Sequence, residues 1–381
     1  MYEEAVRWLE VQRRAGRRRG AQRLRAVWPR LGIPFPETKM VHVLGTNGKG
    51  SVAAYLERGF IAARMSAAAF TSPHLYDVRE RVRIGGRFAD RGALVSFVQR
   101  ARALPLADPP AFFEWLLAFA LEQFTAASVE WAALEAGVGG ASDATMFAAK
   151  RVALTIITNI GDDHLQSFGT WESLARDKVG AVQPGVPVVG AVRGRALELL
   201  REVSEKRSAP LYVLNPEDPL FSLPDQPALP GAFQRKNAAL AVAALRLLGF
   251  GDAAVKAAVT EARLPGRLDR RSFNGREVIL DGAHNLHAVR ALVDELPSRY
   301  RLVFGAQPQK AVDEMLDVLA ARASGAVLTW PYSGRGAGLS FEPDPVRALL
   351  SCADRAEHSE PVVVTGSLYL VGRLLSSGLF D

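Results

Sequence analysis

A short glycine-rich segment, VHVLGTNGKGSVAAYL at residues 41–56, contains the residue types that bind phosphate groups. Glycines let several backbone N–H groups converge on an anion at the N-terminus of a helix. A lysine, here Lys49, can neutralise phosphate charge, and the hydroxyl of Ser51 can bind a magnesium ion. An apolar strand candidate precedes the glycines of this segment and a helix candidate follows them. The segment therefore predicts nucleotide binding.

The spacing within this segment differs from that of the usual phosphate loop, G-x-x-x-x-G-K-[ST]. Only two residues separate Gly45 from Gly48, and Gly50 stands between Lys49 and Ser51. A tight glycine-rich turn between a strand and a helix is therefore the alternative interpretation.

Three more polar side chains follow apolar segments of the chain. Ser72 lies in TSPHL, Glu135 in LEAGVGG and His164 in TNIGDDH. The carboxyl ends of parallel strands meet at one edge of a sheet, so these side chains are expected to lie near Ser51. Oxygen ligands with one imidazole suit magnesium or manganese beside nucleotide phosphates. Unrelated loop residues are the alternative.

The elements that must position these residues alternate along the first two thirds of the chain. Short apolar segments predict strands at 40–45, 129–137, 152–161 and 186–192. Between them, periodic segments predict helices at 51–64, 91–103, 111–126 and 171–180. This order is typical of a doubly wound α/β domain with a mostly parallel sheet.

A proline-rich break at 207–232 precedes an amphipathic helix candidate, and a second alternation of strands and helices begins near residue 268. We therefore predict an ATP-binding domain over 1–267 and a smaller α/β domain over 268–381.

The composition is that of a folded globular protein, with 49% hydrophobic and 23% charged residues among 381. A single cysteine, Cys352, excludes a disulfide framework and a thiolate metal cluster. The first residues resemble neither a signal nor a transit peptide, and no apolar stretch of about 18 residues could span a bilayer. We expect a cytoplasmic protein without a membrane partner.

The net charge of +7 favours anionic partners, and much of the excess lies in RRAGRRRGAQRLR at residues 13–25. These partners could be nucleic acids, nucleotides or polycarboxylates. Because charge runs alone are weak motifs, we interpret the cluster as a solvated arginine-rich surface and expect no nucleic acid partner.

A series of motifs along the chain resembles the folylpolyglutamate synthase and dihydrofolate synthase family, whose members are related to the Mur peptidoglycan ligases. The resemblance extends over residues 2–375 and rests on the order of HVLGTNGKGSV, TSPHL with ERVRI, FFEW, LEAGVGG with DAT, TNIGDDH with FG, DKVGAVQPGVPVV, NAALAVAAL, LPGRL, LDGAHN and VTGSLYLVG. It implies that the unusual glycine spacing is a ligase variant of the phosphate loop.

The resemblance also implies a set of site residues and cofactors. ATP would contact Thr46, Asn47, Gly48, Lys49, Gly50, Ser51, Asn237, Arg267, Asp281 and His284. Two magnesium ions would be held by Ser51, Ser72, Glu135, His164 and Lys178, the last carrying a carbamate. The pterin end of the acceptor would lie near Phe112, Phe113, Glu114, Ser142, Asp143 and Ala144. The nucleotide would sit between the two domains.

The implied reaction is the ATP-dependent addition of L-glutamate to dihydropteroate, to a reduced folate, or to both, through an acyl phosphate. Lys49, Glu135, His164 and Lys178 would be the catalytic residues, the substrates would be small molecules, and the protein would act as a monomer. A Mur-type ligase acting on another carboxylate and a degenerate phosphate-loop protein kept for binding are the alternatives.

Three departures from the family pattern concern substrate choice. Ala141 replaces the usual arginine after the two glycines, and Met146 replaces the asparagine after Asp-Ala-Thr. The Asp-Lys-Asp of the smaller domain has become PQKAVD, which retains only Lys310. None of these changes removes an expected metal ligand.

Overall fold

The computed structural model describes residues 1–12, 20–161, 165–307, 311–332, 339–357 and 360–380. The predictions for His164 and Lys310 lie outside the described residues, as do residues 13–19 of the arginine cluster.

The chain forms two compact units. The first unit comprises Met1–Ser72, Val78–Ala228 and Gln234–Arg263. The second unit comprises Leu264–Asp381 together with two short segments, Pro73–Asp77 and Leu229–Phe233. The segment Pro73–Asp77 packs closely against Gly372 within the second unit. A Cβ atom at position 372 would lie 2.1 Å from the carbonyl oxygen of Leu75, so only glycine allows this approach.

Strands of the first unit are β1 Lys39–Leu44, β2 Ala67–Phe70, β3 Val82–Ile84, β4 Arg87–Phe88, β5 Trp131–Glu135, β6 Val152–Ile157, β7 Val188–Gly190 and β8 Leu211–Val213. Among the described residues they form one sheet in the order β4-β3-β2-β5-β1-β6-β7-β8. From β2 to β8 all neighbours are parallel, and the hairpin of β3 and β4 adds an antiparallel edge. Because β1 lies between β5 and β6, the loops that follow these three strands lie side by side.

Helices of the first unit are α1 Tyr2–Val11, α2 Gln22–Leu31, α3 Lys49–Ala62, α4 Arg91–Ala103, α5 Phe112–Ala126, α6 Leu165–Phe168, α7 Trp171–Val179, α8 Gly194–Lys206, α9 Phe233–Leu247 and α10 Asp252–Glu261. Helix α5 is apolar around most of its circumference, as expected for a helix inside a core. Its Trp115, Phe119 and Phe124 are fully buried in the cluster on the β2 side of the sheet.

The second unit has its own sheet and core. Its strands are β9 Asp269–Phe273, β10 Arg276–Leu280, β11 Tyr300–Phe304, β12 Ala323–Leu328, β13 Ser340–Phe341 and β14 Val362–Thr365, in the order β13-β12-β11-β14-β10-β9. Its helices are α11 Leu286–Val293, α12 Val312–Ala320, α13 Pro345–Asp354 and α14 Leu368–Leu375. Only the pairing of β9 with β10 is antiparallel among the described strands.

The predicted α/β class with mostly parallel sheets is confirmed. The sequence did not indicate the β3 and β4 hairpin, whose strands VRI and RF are too short and too polar to show a period. None of the helices in the described residues has the length and apolar character to cross a membrane.

Candidate active site

The glycine-rich loop joins β1 to α3 in a conformation that requires glycine at two positions. Gly45 and Gly48 have φ of 139° and 86°. A Cβ atom on Gly45 would lie 1.9 Å from the Thr158 hydroxyl oxygen, and one on Gly48 would lie 2.4 Å from Oδ1 of Asn237. The glycines therefore permit both the turn and the close approach of neighbouring side chains.

Two residues that follow β6 hold this loop in place. Asn159 accepts hydrogen bonds through Oδ1 from the backbone N–H groups of Thr46 (3.2 Å) and Asn47 (3.0 Å). Thr158 donates from its hydroxyl to the Asn47 carbonyl oxygen at 2.6 Å. The TNIGDDH motif predicted a metal ligand beyond the strand. The sequence did not indicate that Thr158 and Asn159 of this motif hold the glycine-rich loop.

Two lysines converge on one carbonyl oxygen of the loop. Lys49 Nζ donates to the carbonyl oxygens of Gly45 and Thr46, each at 3.1 Å. Lys178, at the end of α7 and only 3% exposed, donates to the same Gly45 oxygen at 2.9 Å. The structure thus places the predicted carbamate lysine beside the predicted phosphate lysine.

Ser51, in the first turn of α3, is connected to α9. Its hydroxyl accepts a hydrogen bond from Gln234 Nε2 at 3.2 Å, and Gln234 Oε1 accepts one from Asn237 Nδ2 at 2.9 Å. Gln234 is fully buried. The sequence indicated Ser51 and Asn237 as ATP contacts but missed Gln234, which is detectable only as the polar residue one helical turn before Asn237.

The two other predicted metal ligands in the described residues are adjacent. Ser72 follows β2, Glu135 ends β5, and the Ser72 N–H donates to Glu135 Oε2 at 3.0 Å. Glu135 is 3% exposed. Among the described residues, no three His, Cys, Asp or Glu side chains are grouped so that they could hold a metal ion. The donors in reach are hydroxyl and carboxylate oxygens, a set that fits a hard cation such as magnesium.

A buried ion pair lies next to this pair of residues. Arg83 on β3 donates through Nε to Glu57 Oε2 of α3 at 2.8 Å and through Nη1 to the Thr71 hydroxyl at 3.1 Å. Although burial opposes its charge, Glu57 and the nearby Glu135 raise the pKa of Arg83. Arg83 therefore remains positively charged and ties the strand before Ser72 to the helix that follows the glycine loop.

The GlyGly turn after β5 is fixed by the residue before Lys178. Asp177 accepts hydrogen bonds from the N–H of Gly140 at 2.7 Å and from the N–H and hydroxyl of Ser142, both at 3.0 Å. A Cβ atom on Gly140 would lie 2.6 Å from the Asp177 carbonyl oxygen. Ala141, at the position of the family's arginine, is exposed and its N–H donates to the same carbonyl.

The predicted acceptor residues are all buried or half-buried. The Phe113 ring lies against Gly137 and 5.2 Å from the Phe70 ring. In contrast, Glu114 is buried, and its Oε2 accepts from the Ala111 N–H at 2.6 Å and from Arg23 Nε at 2.8 Å. Burial raises the pKa of Glu114, while these donors oppose the rise. Its carboxyl group therefore anchors the start of α5.

Four further predicted acceptor residues belong to the same region. The Phe112 ring lies 5.1 Å from the guanidinium of Arg81. Asp143 and Ala144 are buried, and Ser142 is half-buried.

The second unit contains the other predicted ATP contacts. Asp281 is buried and accepts from the N–H groups of Leu268 (2.9 Å) and Ala283 (2.8 Å). Burial raises the pKa of Asp281, and the charge of Arg267 opposes the rise. His284 Nδ1 lies 2.8 Å from the Gly282 carbonyl oxygen. Since a carbonyl can only accept, this nitrogen carries a proton.

Comparison with known proteins gives matches over nearly the whole chain. A profile of the Mur ligase middle domain matches residues 110–183. The dihydrofolate synthase/folylpolyglutamate synthase of Bacillus subtilis (strain 168) is 29% identical, over 97% of this chain and 97% of its own. The Escherichia coli (strain K12) protein of the same name is also 29% identical, over 93% of this chain and 90% of its own.

Solved structures with the same fold contain ligands. The E. coli FolC structure in complex with DHPP and ADP superposes with a TM-score of 0.85 at 26% identity, covering 98% of this chain and 97% of that one. A bifunctional folylpolyglutamate synthase/dihydrofolate synthase with Mn, AMPPNP and L-glutamate bound gives a TM-score of 0.84 at 27% identity, covering 98% and 97%.

Proposed function

Because the chain belongs to the folylpolyglutamate synthase and dihydrofolate synthase family, we propose that it joins L-glutamate to dihydropteroate, to a reduced folate, or to both, at the expense of ATP. The products are an amide, ADP and phosphate. The observation that carries this proposal is the convergence of Lys49 and Lys178 on the Gly45 carbonyl, in a loop that also presents Ser51.

Activation of the acceptor carboxylate is the first chemical requirement. A carboxylate is a poor electrophile, so it attacks the γ-phosphate of ATP and becomes an acyl phosphate while ADP leaves. The glycine loop offers N–H groups to the phosphates, and Lys49 moves from the loop carbonyls to the developing negative charge. Because Asn159 and Thr158 already fix the loop, little ordering is required when ATP binds.

The metal ions are assigned to the oxygen donors around the loop. We assign two Mg²⁺ to Ser51, Ser72, Glu135, His164 and carbamylated Lys178. When bound, Mg²⁺ supplies positive charge that stabilises the phosphoryl group in transfer. Arg83 keeps the strand before Ser72 in place for this purpose.

Lys178 needs modification to serve as a ligand, because an ammonium group has no lone pair to offer. Its uncharged amine would add to CO₂, forming an N–C bond and releasing one proton, which leaves a carbamate with two oxygens. The neighbouring Lys49 favours this product, since a nearby cation disfavours an ammonium and stabilises an anion.

Amide formation completes the reaction. The amine of L-glutamate attacks the acyl phosphate through a tetrahedral intermediate, and phosphate leaves. The chain supplies no covalent nucleophile in this scheme, and its contribution is positioning and charge stabilisation.

The remaining contacts follow the sequence-based assignment. The adenosine and phosphates would be bound by residues 46–51 and by Asn237, Arg267, Asp281 and His284. The acceptor would lie near Phe112 and Phe113 and near the segment 142–144. Glu114 anchors the start of α5, which carries the two phenylalanines. All substrates are small molecules, and we propose that a monomer suffices.

A phosphate-release assay with purified protein, ATP, magnesium and L-glutamate tests the function. We expect release only when a pteroate or folate is added, and loss of release in Glu135→Ala. Glu37→Ala, which removes an exposed carboxylate outside the site, serves as the control. Lack of turnover with every pterin, at intact ATP affinity, would refute the proposal.

The same phosphate-release assay identifies the acceptor when dihydropteroate, tetrahydrofolate and a nucleotide-linked muramoyl compound are tested in turn. The departures at Ala141 and Met146 lie on either side of the proposed acceptor segment, so they bear on this choice. Phosphate release driven by the muramoyl compound alone would instead support a Mur-type ligase.

A further inference from the structure

A buried histidine lies at the centre of the first sheet and has no part in the scheme above. His42 is in the middle of β1, between β5 and β6, and is 1% exposed. Its Nε2 lies 2.8 Å from the hydroxyl oxygen of Thr145. Thr145 belongs to the Asp-Ala-Thr sequence and directly follows the proposed acceptor segment, residues 142–144.

The hydrogen bonds beyond Thr145 determine which atom donates. The Thr145 hydroxyl donates to Asp143 Oδ1 at 2.6 Å, and the Thr145 N–H donates to the same oxygen at 2.9 Å. Asp143 Oδ2 accepts from the Val138 N–H at 2.9 Å. Burial raises the pKa of Asp143, and the hydrogen bonds from Thr145, Val138 and Gly137 oppose this rise and favour the carboxylate. Since the hydroxyl proton of Thr145 is directed to Asp143, His42 must donate from Nε2 to the hydroxyl oxygen.

The surroundings of the second imidazole nitrogen, Nδ1, are consistent with a proton on Nε2 of His42. In the parallel pairing of β1 with β6, Thr155 is the register partner of His42, so both side chains point to the same face of the sheet. His42 Nδ1 and Thr155 Oγ1 are both buried and have no hydrogen-bond partner among the described residues. With the proton on Nε2, Nδ1 keeps a lone pair, to which the Thr155 hydroxyl can donate through one buried water molecule.

We propose that His42, as a neutral imidazole protonated on Nε2, is a positioning residue for the acceptor. It holds Thr145 and Asp143, and through Asp143 it holds the backbone of Val138 beside the Phe113 face of the site. Asp177 fixes the same segment independently through Gly140 and Ser142. This inference rests on the proposed function, because it assigns the segment 142–144 to the acceptor.

Paired substitutions separate the hydrogen bonds from side-chain volume. Thr145→Val keeps the shape but removes the hydroxyl, whereas Thr145→Ser keeps the hydroxyl. Likewise, His42→Leu removes the Nε2–H donor and His42→Gln supplies an N–H in a similar place. We expect Thr145→Val and His42→Leu to raise the KM for the pteroate or folate about 10-fold or more, with the KM for ATP changed less than about twofold. Thr145→Ser and His42→Gln should stay near wild type.

A spectroscopic measurement tests the hydrogen bonds from His42 through Thr145 to Asp143 without any substrate. Nitrogen-15 NMR of the wild-type protein, assigned with His42→Gln, should show the Nε2–H form of His42. The Nδ1–H form would overturn the proposal. A fall in kcat with an unchanged KM for the acceptor in both Thr145→Val and His42→Leu would overturn it as well. If the wild type turns over no pterin, the proposed function fails, and the assignment of residues 142–144 to an acceptor fails with it, whatever the NMR result.

Discussion

Lys49 and Lys178 donate to the same carbonyl oxygen, that of Gly45, although they lie on different helices. Their Nζ atoms are therefore separated by no more than the sum of two hydrogen-bond lengths. Two ammonium groups at this distance repel each other, and the repulsion becomes attraction when one of them is converted to an anion. The pairing therefore supports the proposed carbamate at Lys178.

Native protein equilibrated with ¹³C-bicarbonate should give one carbamate carbonyl signal, and Lys178→Arg should remove it. We expect Lys178→Ala to lower turnover by about 100-fold or more, because a ligand in the charge-stabilising site is lost. Added bicarbonate should not restore this variant. Lys206→Ala, which changes an exposed lysine, is the matched control. Near-normal turnover in Lys178→Ala would show that no carbamate is needed.

Gly48→Ala should abolish tight ATP binding. A Cβ atom there would lie 2.4 Å from Asn237 Oδ1, and the φ of 86° adds about 1–2 kcal/mol of strain for any other residue. Gly32→Ala is the matched control, since φ is 66° there and nothing lies within 4 Å of the added atom. Calorimetric titration with ATP should therefore distinguish the two variants even where their stabilities are similar.

The buried pair of Arg83 and Glu57 should behave as a coupled unit. Removing either charge leaves the other buried without compensation, so Arg83→Ala and Glu57→Ala should each lower the free energy of unfolding by about 3–5 kcal/mol. The double variant should lose much less than the sum. Urea unfolding of the four proteins provides the measurement, and additive losses would contradict the coupling.

Acid should destabilise the protein through His42. Burial lowers the pKa of His42 from 6.5 to about 4, so between these values the unfolded chain binds a proton that the folded chain does not. Stability is therefore lost as the pH falls through this window, by on the order of 3 kcal/mol from this group. His42→Gln should lack this part of the loss when the free energies of unfolding at pH 7 and pH 4 are compared.

Asp177→Asn should weaken acceptor binding. One carboxylate receives the N–H of Gly140 and both donors of Ser142, and an amide, with a single oxygen, cannot accept all three. We expect the acceptor KM to rise about 10-fold with an unchanged Kd for ATP. Glu172→Gln, in the first turn of the same helix, is the control. Loss of the carbamate signal at unchanged acceptor KM would instead place the effect on Lys178.

The sequence by itself determined the class of fold and the nature of the loop. Apolar strands alternating with periodic helices predict a parallel α/β sheet because these patterns are local. The segment GTNGKGS likewise carries its chemistry within seven consecutive residues. Ser72, just after β2, and Glu135, at the end of β5, could be predicted as neighbours, since parallel strands present their carboxyl ends at one edge.

Only the tertiary structure decided which side chains support this site. Lys178 meets Gly45 across 133 residues, and Gln234 meets Ser51 across 183. His42 reaches Thr145, and Asn159 reaches Thr46, because β1 lies between β5 and β6. Strand order depends on how all the elements pack together, and no local period encodes it. For this reason the sequence indicated the groups proposed to bind ATP, whereas the residues that hold those groups in place were identified only in the folded chain.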